Sequence, residues 1–259
     1  IAIGQTLIIL TAGIDLSCGM VMALGGIVMT KVASDYGLSA PVAIACGMAV
    51  TTLFGMVNGL LVTKVKLPPF IVTLGTLNIA FAATQLYSGA QTITDIPAGM
   101  TVLGNTFQVG GTAVVWGAVL MLALYLAMWF FLRETAPGRH VYAVGNNPEA
   151  TRLTGIPTNR VLLFVYMLAG VFYARTGAGD PNAGQTENLD AISAVVLGGT
   201  SLFGGRGMIL GTLVGALIVG VFRNGLTLMG VSSVYQILVT GILVILAVAT
   251  DQLSRKGVR

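Results

Sequence analysis

An all-α, polytopic bundle of transmembrane helices is the fold class that the sequence predicts, and three observations predict it. Only 8% of the 259 residues are charged and 55% are hydrophobic, whereas a soluble domain carries roughly 25% charged residues. Glycine contributes 35 residues, as expected where helices in lipid approach backbone to backbone with no hydrophobic force drawing them together. The apolar stretches are long and uninterrupted, which excludes a barrel, whose strands would alternate apolar and polar positions over about ten residues. The excess of 13 basic over 9 acidic residues then reads as an orientation signal rather than a nucleic-acid footprint.

Composition also excludes several chemistries. Cys18 and Cys46 lie in or beside apolar segments without CxxC spacing, and they read as packing residues. His140 is the single histidine and sits among loop residues. No metal site, catalytic triad or cofactor is expected, and a membrane-embedded enzyme would need clustered His, Cys or paired carboxylates that the chain lacks. There is no GxxxxGK[ST] run, so this chain does not bind ATP in Walker fashion.

The elements follow in order. Residues 1–13 form the first apolar run, which begins without an initiator methionine or a basic flank and therefore reads as cut short before Ile1. Residues 20–33 form the second, and at helical rise each covers about 20 Å, too little to cross a hydrocarbon layer of about 30 Å. The break between them, "GIDLSCG" at 13–19, carries Asp15 at membrane depth. Broken helices are tolerated there when buried in protein or lining a wet cavity. Asp15 or Ser17 can cap the next helix, whose positive end suits a carboxylate. Contact with a polar solute and proton coupling are the other roles open to Asp15.

Residues 39–63 are long enough to cross and stop at Lys64, Lys66 and Pro68-Pro69, a basic turn expected in the cytoplasm. Residues 70–88 return outward, and the polar segment 89–112, with Asp95 as its charge, should be external. The run 113–132 crosses inward to Arg133 and opens the largest internal loop, 133–160, with Arg133, Arg139, Arg152 and Arg160. Residues 161–174 span only about 21 Å, short enough that a piece is expected to be missing between Ala174 and Arg175. Residues 175–189 should then be external. Parity with an internal basic tail (Arg255, Lys256, Arg259) makes 190–205 a short, glycine-broken crossing, followed by spans at 208–224 and 234–250. "IDLSCGMVMALGG" and "LDAISAVVLGG" share a faint pattern that either an internal repeat or chance would give in so glycine-rich a chain.

Within the loop, "GRHVYAVGNNPEATRLTGIPTNR" predicts a short helix. Asn146 or Asn147 can cap it, Pro148 suits its first turn, Glu149 sits near its positive end, and Gly155 with Pro157 stops it. Val144, Ala150, Leu153 and Ile156 supply apolar surface, while Glu149 and Arg152 offer charges to a partner. The same residues would also suit a helix lying at the membrane interface.

"GIDLSCG", "NGLLVTKVKLPPFIVTLGT", "YAVGNNPEATRLTGI" and "LDAISAVVLGGTSLFGGRG", in this order along essentially the whole chain, resemble the permease subunit of bacterial ATP-binding-cassette sugar importers of the ribose type. "KLPPFIVTLG", "DPNAGQTENLDAI" and "ATDQLSRK" look most like the fructose-type members. The resemblance implies a single permease domain, 1–259, in the bacterial inner membrane with its C-terminus cytoplasmic. It implies that the chain is no enzyme, and that its partners are a cytoplasmic ATPase, a periplasmic sugar-binding protein and a second copy or a related permease. It makes 147–155 the coupling helix, carried by Asn147, Pro148, Glu149, Ala150, Thr151, Arg152, Leu153 and Gly155. It also implies a translocation path between two permease subunits, for which Asp15, Ser17, Asn58, Thr73, Thr76 and Asn78 are the candidates; Ser, Thr and Asn equally often serve as interhelical hydrogen-bond partners. The rival from another class is an ion-coupled secondary transporter using Asp15 and Asp190. Which sugar is carried does not follow from small polar residues.

Overall fold

A computed structural model describes residues 1–94, 96–176 and 179–256. Asp95, Arg259 and the side chains of Arg255 and Lys256, which the sequence reading used as topological markers, lie outside the described residues. The helices are α1 (Ala2–Leu10), α2 (Cys18–Ser34), α3 (Ala40–Thr63), α4 (Pro69–Ser88), α5 (Ala98–Thr101), α6 (Trp116–Glu134), α7 (Ala136–Asn146), α8 (Pro148–Leu153), α9 (Thr158–Tyr173), α10 (Glu187–Leu197), α11 (Ile209–Leu228) and α12 (Ser233–Lys256). Among the described residues, α3, α4, α6 and α11 are long and apolar enough to cross a membrane.

Local chemistry sets the ends of these helices. Pro41 occupies the first turn of α3, and Pro69 opens α4, where the missing proline N–H costs nothing. Gly89 closes α4 in the left-handed conformation at φ 66°. The span expected at 113–132 instead starts at Trp116, because Thr106–Val109 (β1) and Thr112–Val115 (β2) pair as an antiparallel hairpin. Gly110 and Gly111, both at positive φ, make its two-residue turn.

The tightest helix pair is α3 against α9. Thr51, Gly55 and Gly59 recur every fourth residue and let the backbones touch. A Cβ on Gly59 would lie 2.9 Å from Leu163, one on Gly55 would lie 3.0 Å from the Tyr166 carbonyl carbon, and one on Gly170 would lie 2.9 Å from Thr52. Small residues at fourfold spacing are how membrane helices gain van der Waals contact. The pair is antiparallel, so Lys64 and Lys66 fall at the same end of the bundle as Arg160 and α8. Arg133, Arg139, Arg152 and Arg206 lie there too, while Lys31 and Arg175 stand at the other end.

Two regions of the chain cross in pieces. In one, α1 stops at Leu10, residues 11–17 are non-helical, and α2 resumes at Cys18. In the other, Gly179 is hydrogen-bonded through its carbonyl to Ile93 N–H at 2.9 Å, and the chain then turns inward to α10. The expectation that 175–189 is wholly external is therefore corrected: Gly184 packs backbone to backbone on Gly19, and Asn188 Nδ2 donates to Leu16 O at 3.3 Å. Neither glycine has a Cβ, and the two breaks meet for that reason. α10 itself is 11 residues long, about 16 Å at helical rise and half of a crossing. Glycines at 198 and 199 end it, and residues 198–207 turn at the α8 end of the bundle.

Candidate functional site

The α1–α2 break is held by a continuous chain of buried hydrogen bonds. Asp15 is 1% exposed; its Oδ1 accepts the Ser17 N–H at 2.8 Å and the Ser17 hydroxyl at 2.6 Å, and its Oδ2 accepts the Tyr173 hydroxyl at 3.1 Å. Ser17 Oγ in turn accepts from Asn58 Nδ2 at 3.1 Å, and Asn58 Oδ1 accepts from Thr76 Oγ1 at 2.8 Å. Thr73 Oγ1 donates to Ile14 O at 3.2 Å. Five of the six sequence candidates, Asp15, Ser17, Asn58, Thr73 and Thr76, are thus brought together, and they tie the break to α3, α4 and α9. Backbone groups freed inside a bundle need partners, and these side chains supply them.

Two details differ from the sequence reading. Ser17 stands at the N-cap of α2, yet no side chain caps that helix. The Ser17 hydroxyl is committed to Asp15, and Asp15 takes an N–H one residue before the helix begins, so the carboxylate braces the turn rather than capping α2. Asn78, the sixth candidate, is apart from the cluster: it is exposed on the outer face of α4, and its amide bonds only its own helix at Leu74 O, 3.0 Å. Asp190, the rival ion site, is paired with Arg223 of α11, and Glu187 lies 3.9 Å from the same guanidinium. Intramembrane charges pair with one another and face protein or wet cavities. These three line a cavity of about 860 Å³, together with Tyr173 and Arg175. Tyr173 and Arg223 were missed in the sequence, because an aromatic and an arginine inside apolar helices reveal no partner until the helices are packed.

The predicted short helix is α8. Asn147 caps it, its Oδ1 accepting the Ala150 N–H at 2.9 Å. Glu149 and Arg152 pair across one turn at 2.6 Å on an exposed face. The guanidinium beside it holds the Glu149 carboxyl below its ordinary value, so the pair is intact above the usual glutamate pKa and is lost as pH falls through the lowered one. Solvent screens so exposed a pair. Gly155, at φ 87°, ends the element. Leu153 is 75% exposed, whereas Val144, expected on this surface, is fully buried because it belongs to α7, a helix formed within the stretch expected to be loop.

α7 is the seat of α8. Thr151 Oγ1 donates to Ala143 O at 2.8 Å. At this same C-terminal end α7 meets α1: a Cβ on Gly145 would collide with the Leu10 carbonyl and lie 2.7 Å from Gly205 N. Gly205 N–H donates to Leu10 O at 2.9 Å, and a Cβ on Gly204 would be 2.7 Å from Ala12 N and 2.8 Å from Gly145 O. Three glycines, one from α7 and two from the 198–207 turn, therefore clamp the last turn of α1, immediately before the Asp15 break.

The sequence profile described as "branched-chain amino acid transport system / permease component" matches residues 1–248. The chain is 47% identical to the fructose import permease protein FrcC of Rhizobium meliloti, over 97% of this chain and 74% of that protein. It is 41% identical to the ribose import permease protein RbsC of Bacillus subtilis, over 97% and 80%. With the D-allose transport system permease protein AlsC of Escherichia coli the identity is 35%, over 99% and 80%. No solved structure matches the chain significantly.

Proposed function

Because the chain belongs to the branched-chain amino acid transport system / permease component family, we propose that it carries a monosaccharide inward across the bacterial inner membrane by alternating access powered from outside its own sequence. It is a membrane-spanning permease subunit of a sugar importer, and relatives named for fructose, ribose and allose define the substrate class. Fructose is the sugar we favour, from the 47% identity to a fructose permease. The energy comes from a cytoplasmic ATP-binding-cassette ATPase and the affinity from a periplasmic sugar-binding protein. The permease then needs contacts that differ between inward-facing and outward-facing states rather than a tight site.

The observation that carries this reading is α8. An exposed, capped helix, seated on α7 at the basic end of the bundle, is suited to lie in a cleft of the ATPase, and residues 147–155 are its coupling helix. The basic end, with residues 133–160 and the C-terminus, is cytoplasmic by the positive-inside rule. A second copy or a related permease covers the exposed face of α4, where Asn78 borders the solute path between the subunits. Asp15, Ser17, Asn58, Thr73 and Thr76 form the joint behind that path, whose opening exposes them.

The test is reconstitution in liposomes with the ATPase and each of several binding proteins, loaded in turn with fructose, ribose, xylose, galactose and inositol. Stimulation of ATP hydrolysis by one loaded binding protein is expected. Failure of every pair to associate or respond would refute the importer reading. Topology has its own check: Thr101, exposed in α5 at the end remote from α8, should react as T101C with an impermeant thiol reagent added from the periplasm. Labelling from the cytoplasm alone would invert the orientation.

A further inference from the structure

We propose that α8 is only one arm of the docking surface, and that the glycine-rich turn 201–206 is a second arm that meets the same ATPase. The proposal rests on the ATPase reading of α8 and adds a contact to it. The turn is closed by Ser201 N–H donating to Arg206 O at 2.9 Å and Gly204 N–H donating to Ser201 O at 3.1 Å. Gly204 and Gly205 sit at φ 81° and 70°, a conformation that side chains other than glycine resist.

The turn lies beside α8 and is fixed to the same base. A Cβ on Gly205 would be 2.8 Å from Asn146 Cα, one residue before the α8 cap. Tyr142 of α7 donates from its hydroxyl to Gly207 O at 3.1 Å. Whatever moves α7 and α8 therefore moves the turn. Its outward side presents Phe203, 47% exposed, Met208, 66% exposed, and the exposed Arg206. Leu153, Glu149 and Arg152 of α8 are exposed at the same basic end of the bundle, so the two neighbouring elements each present apolar and charged side chains there. Apolar residues exposed together with interspersed charges mark protein contact sites. The partner already placed on α8 is the one in reach.

The turn also has a direct route to the broken helix. Gly205 N–H is bonded directly to Leu10 O at 2.9 Å, so force applied to 201–206 reaches the end of α1, and through residues 11–14 the Asp15 joint, beside the route that runs from α8 through α7 and Gly145. In this arrangement α8 and the turn both transmit the closure of the ATPase to the end of α1.

The experiment uses the full chain purified with the ATPase subunit that accompanies it, carrying L153C or F203C, each labelled with a maleimide–diazirine photocrosslinker. Cys18 is buried and Cys46 lies on α3, so the unsubstituted chain reports background. Both variants are expected to crosslink to the ATPase, and the bound ATPase should shield both from an impermeant maleimide. Crosslinking from L153C alone, with F203C crosslinked to lipid or still open to maleimide, would overturn the second arm while leaving α8 in place. Crosslinking from neither variant would bring down the ATPase reading as well.

Discussion

Gly145→Ala is expected to abolish most sugar uptake while leaving the chain inserted and associated with its ATPase. The added Cβ would collide with the Leu10 carbonyl and lie 2.7 Å from the Gly205 nitrogen, whose N–H is the donor to that carbonyl. Both neighbours are backbone, so no rotamer change relieves the clash. Either α7 backs away from α1, or the 201–206 turn lets go of Leu10. Overpacking of this kind costs about 1–3 kcal/mol, and a bias of ~1.4 kcal/mol between two states is about tenfold in their ratio. Uptake should therefore fall about tenfold or more, with ATP hydrolysis continuing uncoupled. Gly37→Ala is the control: it strains a residue at φ 63° in the turn between α2 and α3 but meets no atom within 4 Å. The left-handed conformation costs about 1–2 kcal/mol in one exposed turn, and uptake should persist. Equal uptake in the two variants would remove the junction from the coupling route.

What the sequence disclosed follows from which signals are local. The ends of α3 and α4 were legible because Lys64, Lys66 and Pro68-Pro69 stop one helix and start the next. α8 was legible because its cap, first-turn proline and terminating glycine all lie within nine residues. The break at Asp15 announced itself as a charge between apolar runs. α7 was hidden because its 11 residues mix arginine, glycine and apolar positions inside a stretch already assigned as loop. The β1–β2 hairpin carried its signal in Gly110-Gly111 between two short alternating runs, a pattern overlooked in a chain that otherwise reads as helix. The Gly145–Gly204–Gly205 clamp could not be seen at all: with 35 glycines, no one of them stands out until packing brings distant backbones together. Tyr173 likewise becomes a partner of Asp15 only through a contact 158 residues apart in sequence.

Asp15→Ala is expected to lower thermal stability more than any other change in the buried cluster, without altering which sugar is preferred. The substitution leaves the Ser17 N–H, the Ser17 hydroxyl and the Tyr173 hydroxyl without their acceptor. Interhelical side-chain hydrogen bonds in membranes average only about 0.6 kcal/mol, because the unfolded state in the bilayer finds other partners. That figure applies to Tyr173→Phe, which should therefore be mild. The Ser17 N–H belongs to a non-helical turn with no other acceptor in place, and an unsatisfied buried donor costs about 1–3 kcal/mol. The sum for Asp15→Ala is about 3 kcal/mol, and at about 2–4 °C per kcal/mol for a chain of this size the melting midpoint should drop by roughly 6–12 °C. Asp15→Asn keeps one acceptor oxygen, which can face Ser17 while its amide donates to Tyr173, so it should fall between the two. This order, Ala below Asn below Phe, is what a brace demands. A direct solute contact predicts something else: an altered sugar profile in Asp15→Asn at unchanged melting temperature. That result would return Asp15 from the joint to the path itself.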